Sequence, residues 1–348
     1  MKKVGILTFH NAENYGAALQ TYALMKAVQE LGCDCQVIDY RNRGVFLRNA
    51  IKNGYYFLTG QNPIKNHRAY RQFQRHYLNL SPKTYRRLSE FEKDADHYNI
   101  LIFGSDQIWN PDLSHGFDPL YFGQFHTQAK KITYAASVGK DSLTREEREK
   151  LNQLIEGFDA VAVREENILP LINREATAVL DPCLLLSAEQ WMEISDKDVP
   201  DNHYILVYQL HPKKSILETA KILAAKFGKK ILIISPYLIM KTHGILHKLG
   251  RITPNQFLSY YRHADIVLSD SFHGTIFSIL FEKLFFTILP NEKTGRITSL
   301  LEKLNLSERI VRPNYLPTGQ IDFKSVKITL SAEIDHSLTY LEKHLACH

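Results

Sequence analysis

Cysteine is scarce in this chain, with four residues in all, and they follow no metal-site spacing. Cys33 and Cys35 make a C-x-C pair, but there is no C-x-x-C and no His/Cys pattern of a zinc site. The expectation is buried or idle thiols and no bound metal. Long apolar runs are missing too: none reaches the roughly 18 residues that a membrane-spanning helix requires. The opening Met1-Lys2-Lys3-Val4-Gly5-Ile6-Leu7 enters a strand directly, without the apolar core or small-residue cleavage site of a secretory signal. A cytoplasmic location is therefore expected. No G-x-G-x-x-G follows the first strand, so the dinucleotide fingerprint is excluded and no cofactor is expected. Acid is absent from one long stretch: Arg41 through Leu88 contains many Lys and Arg and not one Asp or Glu.

What remains is a globular composition, 44% hydrophobic and 23% charged, in 348 residues. That length suits two domains of ordinary size better than one core. The pattern along the chain agrees. Val4 to Phe9 is a strand, the apolar spacing from Ala17 to Leu31 predicts a helix stopped by Gly32, and Cys35 to Asp39 is a second strand. Asn99 to Phe103, Lys131 to Gly139 and Asp159 to Val163 are further strands, with an amphipathic helix over Thr144 to Ile155. After a linking segment containing Pro200 the alternation restarts, with strands at Tyr204 to Tyr208 and Lys230 to Ile234. Such β-α-β alternation implies parallel sheets with right-handed crossovers. The expected fold is α/β, with two Rossmann-like domains facing a cleft (GT-B-like). Residues 1–190 form the N-terminal domain, with the basic excursion 41–88, and residues 200–330 form the C-terminal domain. Residues 331–348 form a C-terminal helix.

The stretch around which the chain is organised is Ser269-Asp270-Ser271-Phe272-His273-Gly274-Thr275. Asp265 to Leu268 reads as a strand before it, and an unbroken apolar helix follows, so these seven residues form a turn at the carboxyl end of a strand. Open α/β sheets bind ligands there. Ser269, Asp270 or Ser271 can cap the helix, and its N–H groups and dipole favour an anion. His273 can exchange a proton near neutral pH, and its alternative role is helix capping. Other strand ends carry polar turns that read as cleft lining. These are Asn14-Tyr15-Gly16, and Ser105-Asp106-Gln107 within Gly104 to Asn110. Arg164, at the end of its strand, suits phosphate or carboxylate binding, or an ion pair with Glu165 or Glu166.

In order along the chain, a set of motifs resembles the polysaccharide pyruvyl transferase family. They are Gly5-Ile6-Leu7-Thr8-Phe9, Asn14-Tyr15-Gly16-Ala17, Gly104 to Asn110, Val163-Arg164-Glu165, Asp181-Pro182, Ser269-x-x-x-His273 and Arg296-Ile297. The resemblance implies transfer of the enolpyruvyl unit of phosphoenolpyruvate to two hydroxyls of a cell-surface polysaccharide or its precursor. A cyclic ketal forms and phosphate is released. The acceptor is a sugar or a lipid-linked oligosaccharide, taken by the N-terminal domain, with the donor on the C-terminal side. Arg164 and His273 enter the donor site by this resemblance. The family pattern is Ser-x-Arg-x-His, and here Ser271 stands where the Arg would be. Phosphoenolpyruvate carries about three negative charges, so Lys293 and Arg296 join Arg164 as the cations expected to meet them, beside Ser269, Ser271 and Gly274. Asp106 or Glu13 is a candidate base, each equally explained as a cap.

Two alternatives stand beside this one. A nucleotide-sugar glycosyltransferase of the same fold would use Glu282 on a ribose or sugar hydroxyl, and a non-catalytic glycan-binding relative would have lost activity with the Arg-to-Ser change. The basic excursion mixes Arg43, Arg48 and Lys52 with apolar clusters, which suits peripheral contact with an anionic membrane or grip on an anionic substrate. No nucleic-acid recognition motif accompanies the charge, so nucleic acid is not an expected partner.

Overall fold

The structure is a computed structural model that describes residues 1–42, 67–114, 116–197, 203–211, 213–235, 246–249, 252–289, 295–312, 316–317 and 319–346. The chain divides into two compact units. One comprises Met1–Ile51, Gln72–Leu186 and Leu330–His348, and the other Lys52–Arg71 and Ser187–Thr329. Most of the acid-free excursion, including Arg43, Arg48 and Lys52, lies outside the described residues, as does Lys293.

The first unit is built on strands β1 (Lys3–Leu7), β2 (Asp34–Val37), β3 (Ile100–Phe103) and β4 (Lys130–Thr133), all parallel, in the order β2-β1-β3-β4. Two short strands, β5 (Ala162–Val163) and β6 (Thr177–Ala178), pair in parallel and join β4 through bridges Ile132–Ala160 and Ala136–Val163. The strands are apolar because both faces are covered: all four residues of Ile100–Phe103 are buried. Helix α1 (Tyr15–Glu30) buries Ala17, Ala18, Leu19, Ala23, Leu24, Ala27 and Val28, and Gly32, at φ 82°, ends it in the left-handed conformation. Helix α2 (His67–Tyr77) packs Phe73 and Tyr77 edge-on against Tyr22 and leaves Arg68, Arg71 and Arg75 exposed. Helix α3 (Arg145–Ile155) starts in a capping box between Thr144 and Glu147. The chain reverses direction across the sheet between β1 and β3, and this is the unit's topological switch point.

The second unit holds β7 (Tyr204–Tyr208), β8 (Lys230–Ile234), β9 (Leu246–Lys248), β10 (Ile266–Ser269) and β11 (Leu284–Thr287). All are parallel, in the order β11-β10-β7-β8-β9. Its switch point lies between β7 and β10. On one face, Ile216, Ala220, Leu223 and Ala224 of helix α4 (Lys214–Phe227) pack on Ile205, Val207, Ile231, Ile233 and Leu268. Helix α5 (Pro254–His263) begins in a Thr253–Gln256 capping box with proline at its first position. Its Phe257 and Tyr261 pack edge-on or tilted against Tyr208 and against Phe277 of helix α6 (Phe272–Leu280). Because α6 is apolar all round, it is buried almost throughout. Helix α7 (Gly295–Lys303) follows β11.

Three details differ from the sequence-based expectation. Helix α6 ends at Leu280, where Glu282 turns the chain at φ 52°, so β11 begins at Leu284. The C-terminal helix α8 runs over Phe323–Leu345, and its last turns belong to the first unit. Hydrogen bonds hold it there, from Tyr340 to the Thr133 carbonyl (2.9 Å), from Leu180 N to Ser337 Oγ (3.0 Å) and from Lys2 Nζ to the Leu345 carbonyl (2.9 Å). Among the cysteines, Cys35 and Cys183 are buried thiols, whereas Cys33 is disulfide-bonded. No described helix is long and apolar enough to cross a membrane.

Candidate active site at the Ser269–His273 turn

The serines and the aspartate of the turn after β10 each have a backbone task. Ser269 Oγ donates to the Tyr208 carbonyl at 2.9 Å and accepts from Ser271 N at 3.1 Å, which ties the ends of β7 and β10 together. Asp270 accepts from Leu210 N and His211 N on the same side. Ser271 is the cap of α6, its Oγ accepting from Gly274 N at 3.3 Å. The residue that replaces the family's Arg is thus spent on the helix start. His273 is consequently not the cap. It occupies the second helical position and is 7% exposed.

Gly274 is required by close approach. A Cβ there would lie 2.2 Å from Ser269 Oγ and 2.8 Å from the Tyr261 hydroxyl. Gly274→Ala must push Ser269 off the carbonyl it binds, so a loss of about 1–3 kcal/mol is expected. Urea unfolding checks it, and an unchanged midpoint would show that the turn has slack. Arg296, in the first turn of α7, sets its guanidinium 5.8 Å from the centroid of the Phe272 ring, beside His273. The second unit therefore gathers Ser269, Ser271, His273, Gly274 and Arg296 at the carboxyl edge of its sheet. Glu282 is elsewhere. It lies just before β11, at the amino edge of the sheet, and pairs with Lys327 at 2.5 Å. The ribose-binding role that the glycosyltransferase alternative gave it has no geometric support.

In the first unit the polar strand ends also converge on the carboxyl edge. Asn14 caps α1, accepting from Ala17 N at 3.2 Å, with Tyr15 and Gly16 in the first turn and Glu13 just before it. Gln20, one turn further on, donates to Thr8 Oγ1, which donates to the Ser105 carbonyl at 2.8 Å. Ser105 is fully buried, and its Oγ has no partner among the described residues. Asp106 adopts φ 71°, a left-handed conformation that a non-glycine residue holds at a cost. Gln107 accepts from Asn110 Nδ2.

Arg164 is the centre of this edge. Its Nε lies 3.0 Å from Glu165 Oε1, and its Nη1 lies 3.0 Å from Asp181 Oδ2 and 3.8 Å from Asp106 Oδ1. The ion-pair alternative is therefore realised, with Glu165 rather than Glu166. Burial works against the charge, but the fields of Glu165, Asp181 and Asp106 raise the guanidinium's pKa above its usual range. Two histidine–carboxylate pairs, the first of them buried, are not legible in the sequence. His10 Nε2 meets Asp39 Oδ1 at 2.9 Å beyond β1 and β2, and His211 Nδ1 meets Asp270 Oδ2 at 3.2 Å. Burial pushes the Asp39 carboxyl up, yet hydrogen bonds from His10, Arg41 and Thr84 hold it well below the ordinary carboxylate range. A histidine three residues after a strand was the one available signal in both cases.

Two parallel, doubly wound units with polar residues at both switch points define an α/β protein of the GT-B-like class. A family model for polysaccharide pyruvyl transferase matches residues 14–291, and the chain belongs to that family. Among solved structures, UDP-GlcNAc 2-epimerase from Neisseria meningitidis bound to UDP-GlcNAc is similar at TM-score 0.55 and 11% identity, with 100% of both chains covered. The S. aureus MnaA–UDP co-structure is similar at TM-score 0.55 and 10% identity, covering 97% of this chain and 91% of that one. UDP-GlcNAc 2-epimerase from Methanocaldococcus jannaschii, in complex with UDP-GlcNAc and UDP, gives 0.53 and 13%, covering 96% and 93%. At such identities the likeness is one of fold. No curated protein matches the sequence.

Proposed function

We propose that the protein transfers the pyruvyl unit of phosphoenolpyruvate to two hydroxyls of a sugar in a surface polysaccharide or its precursor, free or lipid-linked. The observation that carries this is the position of His273, at the start of α6 and at a switch point, within a chain of the pyruvyl transferase family. Protonation of the methylene carbon generates an oxocarbenium-like centre, and a sugar hydroxyl attacks it. The bond to phosphate breaks, and a second hydroxyl closes the ketal. One hydroxyl proton balances the new methyl group and the other leaves on phosphate. His273 supplies the proton to carbon. The N-terminus of α6 and the Arg296 guanidinium receive the donor's charge, with Lys293 assigned to the same task. Arg164 contributes a guanidinium that three carboxylates keep charged and in one orientation. On the acceptor side, Asn14, Tyr15, Gly16, Ser105, Asp106 and Gln107 line the first unit's strand ends.

Phosphoenolpyruvate is expected to raise the melting temperature, and nucleotide-sugars are not, because a ligand of the native state alone stabilises it. A shift with nucleotide-sugars only would favour the glycosyltransferase alternative. The setting we propose is the cytoplasmic face of the membrane. Exposed Arg68, Arg71 and Arg75 on α2 support contact with anionic lipid there, at about 1 kcal/mol for each basic residue. Co-sedimentation with anionic but not neutral vesicles is expected, and equal behaviour with both rules the contact out.

A further inference from the structure

The ends of β7 and β10 flank the switch point of the second unit, and each is followed by a histidine. His273 opens α6. His211 follows β7 by three residues and is tied to the β10 side by Asp270. That carboxylate is buried, with 1% of its side chain exposed. Its oxygens accept from Leu210 N at 2.6 Å and from His211 N at 2.8 Å, and Oδ2 also lies 3.2 Å from His211 Nδ1. The His211 carbonyl is held in turn by Gln209 Nε2 and by Lys213 N, each at 2.8 Å. Backbone and ring are thus both fixed, yet 49% of the side chain is exposed. Ordering an exposed side chain this far costs entropy that packing does not return. A hydrogen bond from Nδ1–H to the buried carboxylate sets the tautomer and leaves the lone pair on Nε2.

We propose that His211 is a second proton-transfer residue of this site, with Asp270 as the residue that positions it. The proposal rests on the pyruvyl-transfer function given above. That reaction moves protons in opposite senses, onto the methylene carbon and off a sugar hydroxyl, and two groups, one to give and one to take, suit it. His273 delivers the proton to carbon. His211 Nε2 takes one from the attacking hydroxyl as the carbon–oxygen bond forms. The departing phosphate carries that proton away when its own bond to carbon breaks, and the second hydroxyl's proton restores His273. Asp270 faces the His211 ring, and the nearby Lys213 directs its Nζ to the Leu289 carbonyl at 3.1 Å.

Two measurements on the full chain test this. Nitrogen-15 NMR of the imidazoles should show His211 with Nδ1 protonated, and Asp270→Asn should abolish that preference. A wild-type ring protonated on Nε2 overturns the assignment. Mass spectrometry of the surface glycan should find a pyruvyl ketal in cells carrying the wild-type gene. It should fall by roughly 10²–10⁴-fold with His211→Gln at equal protein level and melting temperature. A ketal kept at wild-type level by His211→Gln removes His211 from the chemistry. Absence of the ketal from wild-type cells instead overturns pyruvyl transfer itself, and the role of His211 with it.

Discussion

His273→Ala is expected to lower turnover of phosphoenolpyruvate by roughly 10²–10⁴-fold, the usual contribution of one positioned acid or base. The fold should survive the change. Helix α6 is capped by Ser271 and buried through Ile276, Phe277 and Ile279, and the imidazole's ring contact is with Phe272. Alanine is also the better helix former. Phosphate release, measured beside circular dichroism of the same preparation, separates chemistry from folding. A correctly folded variant with near-normal turnover would exclude His273 from the mechanism and turn attention to the first unit's Asp106.

The largest effect on stability is expected at Arg164. Removing the guanidinium leaves Glu165, Asp181 and Asp106 facing one another without a counter-charge. Breaking a buried pair in this way costs about 3–5 kcal/mol, a drop in melting temperature on the order of 10 °C. Arg164→Lys keeps the charge but cannot reach Glu165 and Asp181 at once, because an ammonium has no planar fork. It should fall between wild type and Arg164→Ala. The melting curve without ligand reports the structural part. Calorimetry with phosphoenolpyruvate on the folded Lys variant reports the donor part, and weaker binding is expected. Unchanged affinity would leave Arg164 as a structural centre of the first unit, and unchanged stability would contradict the network itself.

Much of this molecule can be read from neighbours along the chain. Buried strands alternate with amphipathic helices, and that period makes two parallel α/β units before any contact is known. Capping is local too. Thr144 with Glu147 and Thr253 with Gln256 sit three residues apart, so their boxes are visible in the sequence. The Ser269–Gly274 turn belongs to the same group, since a strand, a small polar cluster, a glycine and an apolar run are all contiguous.

What the sequence could not decide was which partner each polar group takes. His211 and Asp270 are 59 residues apart, His10 and Asp39 are 29 apart, and Arg164 and Asp181 are 17 apart. Parallel pairing creates these meetings. Each strand's carboxyl end is brought level with its neighbour's only after a full crossover, at a register that side-chain pattern alone does not encode. For the same reason Glu282 looked equivalent to other acids near the turn, although sheet polarity puts it at the opposite edge. For Arg164 the sequence offered an anion site or an ion pair with an adjacent glutamate, and the strand ends beside it added Asp181 and Asp106. Local sequence determined that this chain makes two doubly wound units with polar strand ends. The tertiary structure decided which of those ends are joined, because hydrogen-bond partners across a parallel sheet are set by packing between elements far apart in the chain.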